Sequence, residues 1–333
     1  MGSIRLICVG VSASVLGVGA VSGQGLDLVL TDSFAIQAAA YDALPSGQIF
    51  GLTAAGEVLL ETGVGSGGFA VSNTIAASSI SPFGASFVSV SPDGSRIAVG
   101  NGEFGPANAV DIYDASAFVF GGPTAVAPEA SIVSPNFAGD WSDDSQRLFV
   151  TGGDATSFTT VVNQIDLSDA AIPPTAETVI TPAGFASGGV AATGGDLFVG
   201  DGGSGSVFLF DRASLDAGSP ADLATGGLVA TENSAAAVDV FGDLLFVAGQ
   251  EFMGDGDFVV IDRVTNESVK LSPAGTDFFY GGFFNTATNQ MFVTATNFAT
   301  GERQAFVYDI IPTPGVLAIA PLAGLVAARR RRA

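Results

Sequence analysis

The feature that most constrains this chain is a short apolar phrase that returns six times. It reads Gln48-Ile49-Phe50, Arg96-Ile97-Ala98-Val99, Arg147-Leu148-Phe149-Val150, Asp196-Leu197-Phe198-Val199, Leu244-Leu245-Phe246-Val247 and Gln290-Met291-Phe292-Val293. The central positions 49, 97, 148, 197, 245 and 291 are 46 to 51 residues apart. A second phrase, closed by aspartate, follows each of the later five, ending at Asp114, Asp166, Asp211, Asp262 and Asp309. Two phrases that keep the same spacing exclude coincidence and make internal repetition the first fact about the fold.

Each repeat holds more than two strands. Upstream of the first phrase lies an alternating run ending in a turn, clearest at Phe87-Val88-Ser89-Val90-Ser91-Pro92-Asp93-Gly94, where proline fixes φ and glycine takes positive φ. Asp140-Trp141-Ser142-Asp143-Asp144 repeats it more loosely. Downstream comes a fourth short run, such as Ser131-Ile132-Val133, Thr178-Val179-Ile180, Leu228-Val229-Ala230 or Ser268-Val269-Lys270-Leu271. Four antiparallel strands per repeat make a propeller blade. The expected fold is therefore all-β, a β-propeller of six four-stranded blades, with seven as the alternative count. The last repeat stops after its third strand at Asp309, and Leu26-Asp27-Leu28-Val29-Leu30 is a spare alternating strand that predicts closure of blade six from the N-terminus. A parallel β-helix has coils much shorter than these repeats, and no linker splits the chain into two β domains. The Ser91-to-Val99 run resembles the WD40-like repeats of TolB-type propellers, a resemblance of architecture that leaves function open.

Both ends read as addresses. Residues 1–22 form an expected signal peptide: Arg5, the apolar run Leu6 to Val21, then Ala20-Val21-Ser22 as a cleavage site. A retained N-terminal helix is the alternative. Residues 23–311 are the expected propeller domain. Residues 312–333 carry Pro312-Thr313-Pro314-Gly315, an apolar stretch from Val316 to Ala328, and Arg329, Arg330, Arg331 and Arg332. This order resembles the PEP-CTERM sorting domain, with Thr313 where the family name has Glu. The resemblance implies an exosortase-type processing enzyme that reads Pro312 to Gly315, and a short transmembrane helix held by the basic cluster on the cytoplasmic side. Before processing, the chain would touch the membrane through this segment. An uncut C-terminal anchor is the alternative, and either way the body is expected outside the cytoplasm, at the cell envelope, the cell surface or free in the medium.

Composition then removes function classes. All 33 acidic residues lie between Asp27 and Asp309, with only six of the 11 cations among them, a deficit deeper than the −22 of the whole chain. Such a field repels phosphate and anionic lipid, so no nucleic-acid partner is expected. The chain has no histidine, and its one cysteine, Cys8, lies in the leader. Histidine-based triads, thiol catalysis and the common zinc sites are excluded.

The loops between second and third strands place Glu103, Asp154, Asp201, Glu251, Asp255, Asp257 and Glu302 on one rim, the expected binding face. Asp201, Asp255 and Asp257 sit in Gly-rich turns and offer hard oxygen atoms, which makes calcium the one candidate cofactor. Surface-turn duty explains the same residues. The repeated Asp114, Asp166, Asp211, Asp262 and Asp309 are expected to hold turns, and Trp141, Phe278, Phe279 and Tyr280 to pack between blades or to stack on a sugar. The reading is a non-enzymatic surface or extracellular-matrix protein binding a polysaccharide or a surface protein. The alternative is a secreted carboxylate-dependent hydrolase or lyase acting on polysaccharide, with no catalytic pair singled out.

Overall fold

Apolar strands of four to eight residues, rich in Val, Ile, Leu and Phe and punctuated by Gly, Asn and Pro turns, leave little choice but sheets. The computed structural model describes residues 26–36, 38–75, 85–101, 109–122, 124–153, 160–181, 187–249, 256–273, 276, 278–297 and 300–312. They form six antiparallel sheets arranged as blades. The innermost strands, in blade order, are Ala38–Ala43, Phe87–Val90, Ala138–Trp141, Ser187–Thr193, Ala237–Phe241 and Phe278–Asn285. Each packs against the next, and the sixth returns to the first, so the ring is complete. The chain is a six-bladed β-propeller.

The recurring apolar phrase is the second strand of every blade, where its central aromatics are sealed in: Phe50, Phe149, Phe198 and Phe246 have no exposed surface. The aspartate-closed phrase is the third strand. The fourth strands of blades 2 to 5, Ala130–Val133, Ala176–Thr181, Gly227–Thr231 and Ser268–Leu271, fall on the runs read from sequence. In the sixth sheet the outer place belongs to Leu26–Ala35, antiparallel to Arg303–Pro312 in the register Leu26 to Pro312 and Phe34 to Ala305. No α-helix occurs among the described residues, and none is long and apolar enough to cross a membrane. Residues 1–25 and 313–333, and with them the expected leader and the expected sorting segment from Thr313 to Arg332, lie outside the described residues, whereas Pro312 ends the last strand.

One level of order was not anticipated from the repeats: the blades come in pairs. In blades 2 and 4 the connection from third to fourth strand is long, opens on a single 3-10 turn (Ala115–Ala117, Arg212–Ser214), and lends a two-residue strand to the blade before it. Ala125–Val126 lies parallel on Thr74 and Ile75 of blade 1, and Ala221–Asp222 on Ile180 and Thr181 of blade 3. Phe118, Val126 and Leu223 from these flaps are buried in the seams they cover. Blade 6 has no such connection. There the two-stranded ribbon of Leu26–Leu30 against Tyr308–Pro312 takes the place, with Leu26, Leu28 and Ile310 packed with Phe258. The apolar clusters at seams 1–2, 3–4 and 5–6 are accordingly larger than those at the three seams between pairs.

The seams between pairs are held differently. Trp141, 1% exposed, donates its indole N–H to the Ser89 carbonyl at 3.0 Å across seam 2–3. Asn285 donates to the Gly47 carbonyl across seam 6–1 at 2.8 Å. At seam 4–5, Gly189 lies so close to Val238 that any Cβ would strike its backbone nitrogen.

Candidate functional site

The rim residues come first. Glu103, Asp154, Glu251 and Asp255 lie outside the described residues. Asp201, at the end of the second strand of blade 4, turns both carboxylate oxygens inward on its own loop: Oδ1 accepts from the Gly203 N–H at 2.9 Å and Oδ2 from the Ser204 hydroxyl at 2.7 Å. Asp257 opens the third strand of blade 5 and pairs with Lys270 at 2.8 Å, and the same ammonium reaches Glu232 at 3.0 Å. Glu302 is exposed on a hairpin, with its Oε2 accepting from the Thr300 hydroxyl at 3.3 Å. Among the described residues no three His, Cys, Asp or Glu side chains converge as a metal-ligand set.

Four of the strand-closing aspartates hold turns, and the fifth ties two strands of its blade. Asp114 accepts from Ser116 N–H, Asp166 from Ser168 N–H, Asp211 from Ala213 N–H and Asp262 from Val264 and Thr265 N–H, while Asp309 accepts from the Gln290 amide. Hydrogen bonds from the hydroxyl and N–H of Ser116 hold Asp114 below the usual carboxylate range. In the Ser91-Pro92-Asp93-Gly94 turn, Asp93 Oδ1 accepts from the Ser91 hydroxyl at 2.7 Å and from Ser95 N–H at 2.9 Å, and Gly94 takes φ +70°. Desolvation pushes that carboxyl up, but its four hydrogen bonds outweigh the push and bring it down to about 2.

The residues that gather at the centre were not among the candidates. Asp42, Asp140 and Asp239 stand at one register on the innermost strands of blades 1, 3 and 5, opposite Phe50, Phe149 and Phe246 of the neighbouring strands. At the same register blades 2, 4 and 6 carry Ser89, Ala191 and Phe283. Each aspartate uses its carboxylate identically. Oδ1 accepts from the N–H of its own next residue, Ala43, Trp141 or Val240, at 2.7 to 2.9 Å. Oδ2 reaches across the seam to the innermost strand of the following blade, accepting from Val90, Ala192 or Phe284 at 2.6 to 2.7 Å. The inner edge of an innermost strand has no further strand to bond, so these N–H groups need a side-chain partner.

The three carboxylates line one mouth of the central channel, a cavity of about 430 Å³ that also takes in Ser91, Thr193 and Thr286. The opposite mouth is a smaller, more apolar cavity of about 260 Å³ bordered by Phe87, Phe137, Ala237 and Gly281. The innermost strands run from the smaller mouth to the larger, so the aspartates open on the face away from the rim of second-to-third-strand loops.

Set in the wall of a narrow channel, these acids are desolvated although the channel leaves them partly exposed. Burial pushes the Asp42 carboxyl up to about 7 and that of Asp140 up to about 6, against the bonds from backbone N–H that favour the anion. Asp239 is raised well above the ordinary value by burial and by the charge of Asp140. Carboxyls poised in this range can exchange protons near neutrality, and cavities that shift acids this way are where chemistry or binding is sought. Their regular spacing, Asp42 to Asp140 and Asp140 to Asp239 being two blades each, was the one signal available in the sequence.

No family model matches the chain, and no curated protein resembles it in sequence. Solved structures resemble it in fold. One is a crystal structure of the Myceliophteria thermophila Cps50 (Swd1) β-propeller domain, which superimposes with a TM-score of 0.51 over 84% of this chain and 99% of that one, at 10% identity. The likeness is one of fold. A propeller can carry many activities, so the site has to speak for function.

Proposed function

We propose that the chain is an exported, non-enzymatic propeller scaffold that holds a polysaccharide or a surface protein at the cell envelope. The observation that carries this reading is how the carboxylates are spent: Asp201 on its own loop, Asp257 on Lys270, and Asp42, Asp140 and Asp239 on backbone N–H groups. An acid–base pair for glycoside cleavage needs groups free to meet the substrate. The leader in residues 1–22 and the sorting tail in residues 312–333 support the exported location, with an exosortase-type enzyme as the processing partner. In this reading the N-terminal strand is the lock of the ring.

Incubating the purified protein with extracellular polysaccharide of the producing cells, with and without Ca²⁺, tests the reading. Co-sedimentation without newly formed reducing ends is expected. Release of reducing ends that disappears in Asp42→Asn or Asp140→Asn would instead establish a hydrolase, the second reading, favoured by the raised acids of the channel. A Ca²⁺-dependent rise in Tm would support the cation role of Asp201, Asp255 and Asp257. Deleting residues 317–332 is expected to release the protein to the medium, and retention in the envelope would overturn the anchor.

A further inference from the structure

Each of the three seams inside a blade pair is stapled by one channel carboxylate, whose Oδ2 lies 2.6 to 2.7 Å from a backbone nitrogen of the following blade. Among the described residues no Lys or Arg lines the mouth they share. The other titratable groups there are Tyr41, on the innermost strand of blade 1, and Asp143, which is 3.6 Å from Arg212 and so already compensated. The innermost strands of blades 2, 4 and 6 present Ser89, Ala191 and Phe283 at this register, none of which titrates near neutrality, and the Ser89 hydroxyl bonds to Asp140. Three acids therefore face one another across a cavity with no counter-charge.

We propose that Asp42, Asp140 and Asp239 form a pH-responsive clamp: the channel grips its blade pairs most tightly in mild acid, and the stapled seams ease apart as pH rises and the third negative charge forms. The direction follows from burial and like charge, which hold all three carboxyls above their ordinary value in the folded ring. Such a group binds its proton more tightly folded than unfolded. The stability it contributes is complete below the unfolded value near about 4, and is lost as pH climbs through the folded values of about 6 and 7. A neutral carboxyl still accepts through its carbonyl oxygen, so with the proton on Oδ1 the Oδ2 acceptor for the seam is kept, repulsion is relieved, and only the bond from the next residue's N–H is weakened.

The test is the Tm of the full chain between about pH 5 and about pH 8.5 at constant salt, for the protein and for Asp42→Asn, Asp140→Asn, Asp239→Asn and the exposed-turn control Asp169→Asn. The Tm of the unaltered protein is expected to fall by about 5 °C or more across the window, and each channel variant to flatten that fall while the control keeps it. Infrared spectroscopy of the unaltered protein gives a second reading that survives if the variants fail to fold. A protonated-carboxyl band is expected at about pH 5.5 and is expected to weaken as Asp42 and Asp140 ionise towards about pH 8.5. A flat Tm, channel variants with the full slope, or no protonated-carboxyl band at the lower pH would each overturn the clamp.

Discussion

Asp93 and Asp42 are the same residue type shifted in opposite directions from the ordinary carboxyl value by their surroundings. Asp93 sits in an exposed turn among donors and is held down to about 2, whereas Asp42 sits in the channel wall and is pushed up to about 7. Turn acids such as Asp93, Asp114, Asp144 and Asp166, all depressed by hydrogen bonds, contribute stability present above the unfolded value near about 4 and lost as pH falls through the folded one. Denaturation below about pH 4, followed by circular dichroism, is expected to move to higher pH in Asp93→Ala. Trp141→Phe removes the 3.0 Å bond to Ser89 and should cost about 1 kcal/mol by chemical denaturation. Gly189→Ala should cost more, about 1–3 kcal/mol, because the new methyl meets backbone that cannot move aside. Ser91-Pro92-Asp93-Gly94 was legible because turn chemistry is local. Asp42, Asp140 and Asp239 were not, since one acid in a short apolar strand reads like any solvent-facing alternation until the blades bring three together.

Among elements, the third strand of blade 6 depends on a partner from the far end of the chain. Leu26–Ala35 covers its outer edge, and Leu26 and Leu28 bury the top of seam 5–6 with Ile310. Deleting residues 26–35 should expose that edge and the apolar surface behind it, giving aggregation or loss of a single cooperative melting transition by calorimetry. The second strands of all six blades, the third strands of five and the fourth strands of blades 2 to 5 could be read beforehand because a few residues suffice to show a recurring apolar phrase. The lent strands Ala125–Val126 and Ala221–Asp222 could not, because two residues have no period. Their existence is decided by the edge they fall upon, which is tertiary information.

For the molecule as a whole, acidity is the background against which these local arrangements work. With 33 acidic residues and 11 cations in the chain, self-repulsion opposes the folded state, and Lys270 is the only lysine, spent between Asp257 and Glu232. Raising salt from about 0.05 M to about 1 M should therefore raise Tm rather than lower it, since screening weakens net repulsion more than it weakens so few pairs. The lent strands carry one more consequence. Because each flap needs a host blade before it, blades 1 and 2, like blades 3 and 4, can be gained or lost only together, by steps of about one hundred residues. Parting either couple would leave a flap with nothing to cover and an edge with nothing to cover it. Blades 5 and 6, which share no lent strand among the described residues, escape that constraint, so a change of blade number by one meets the least obstacle there.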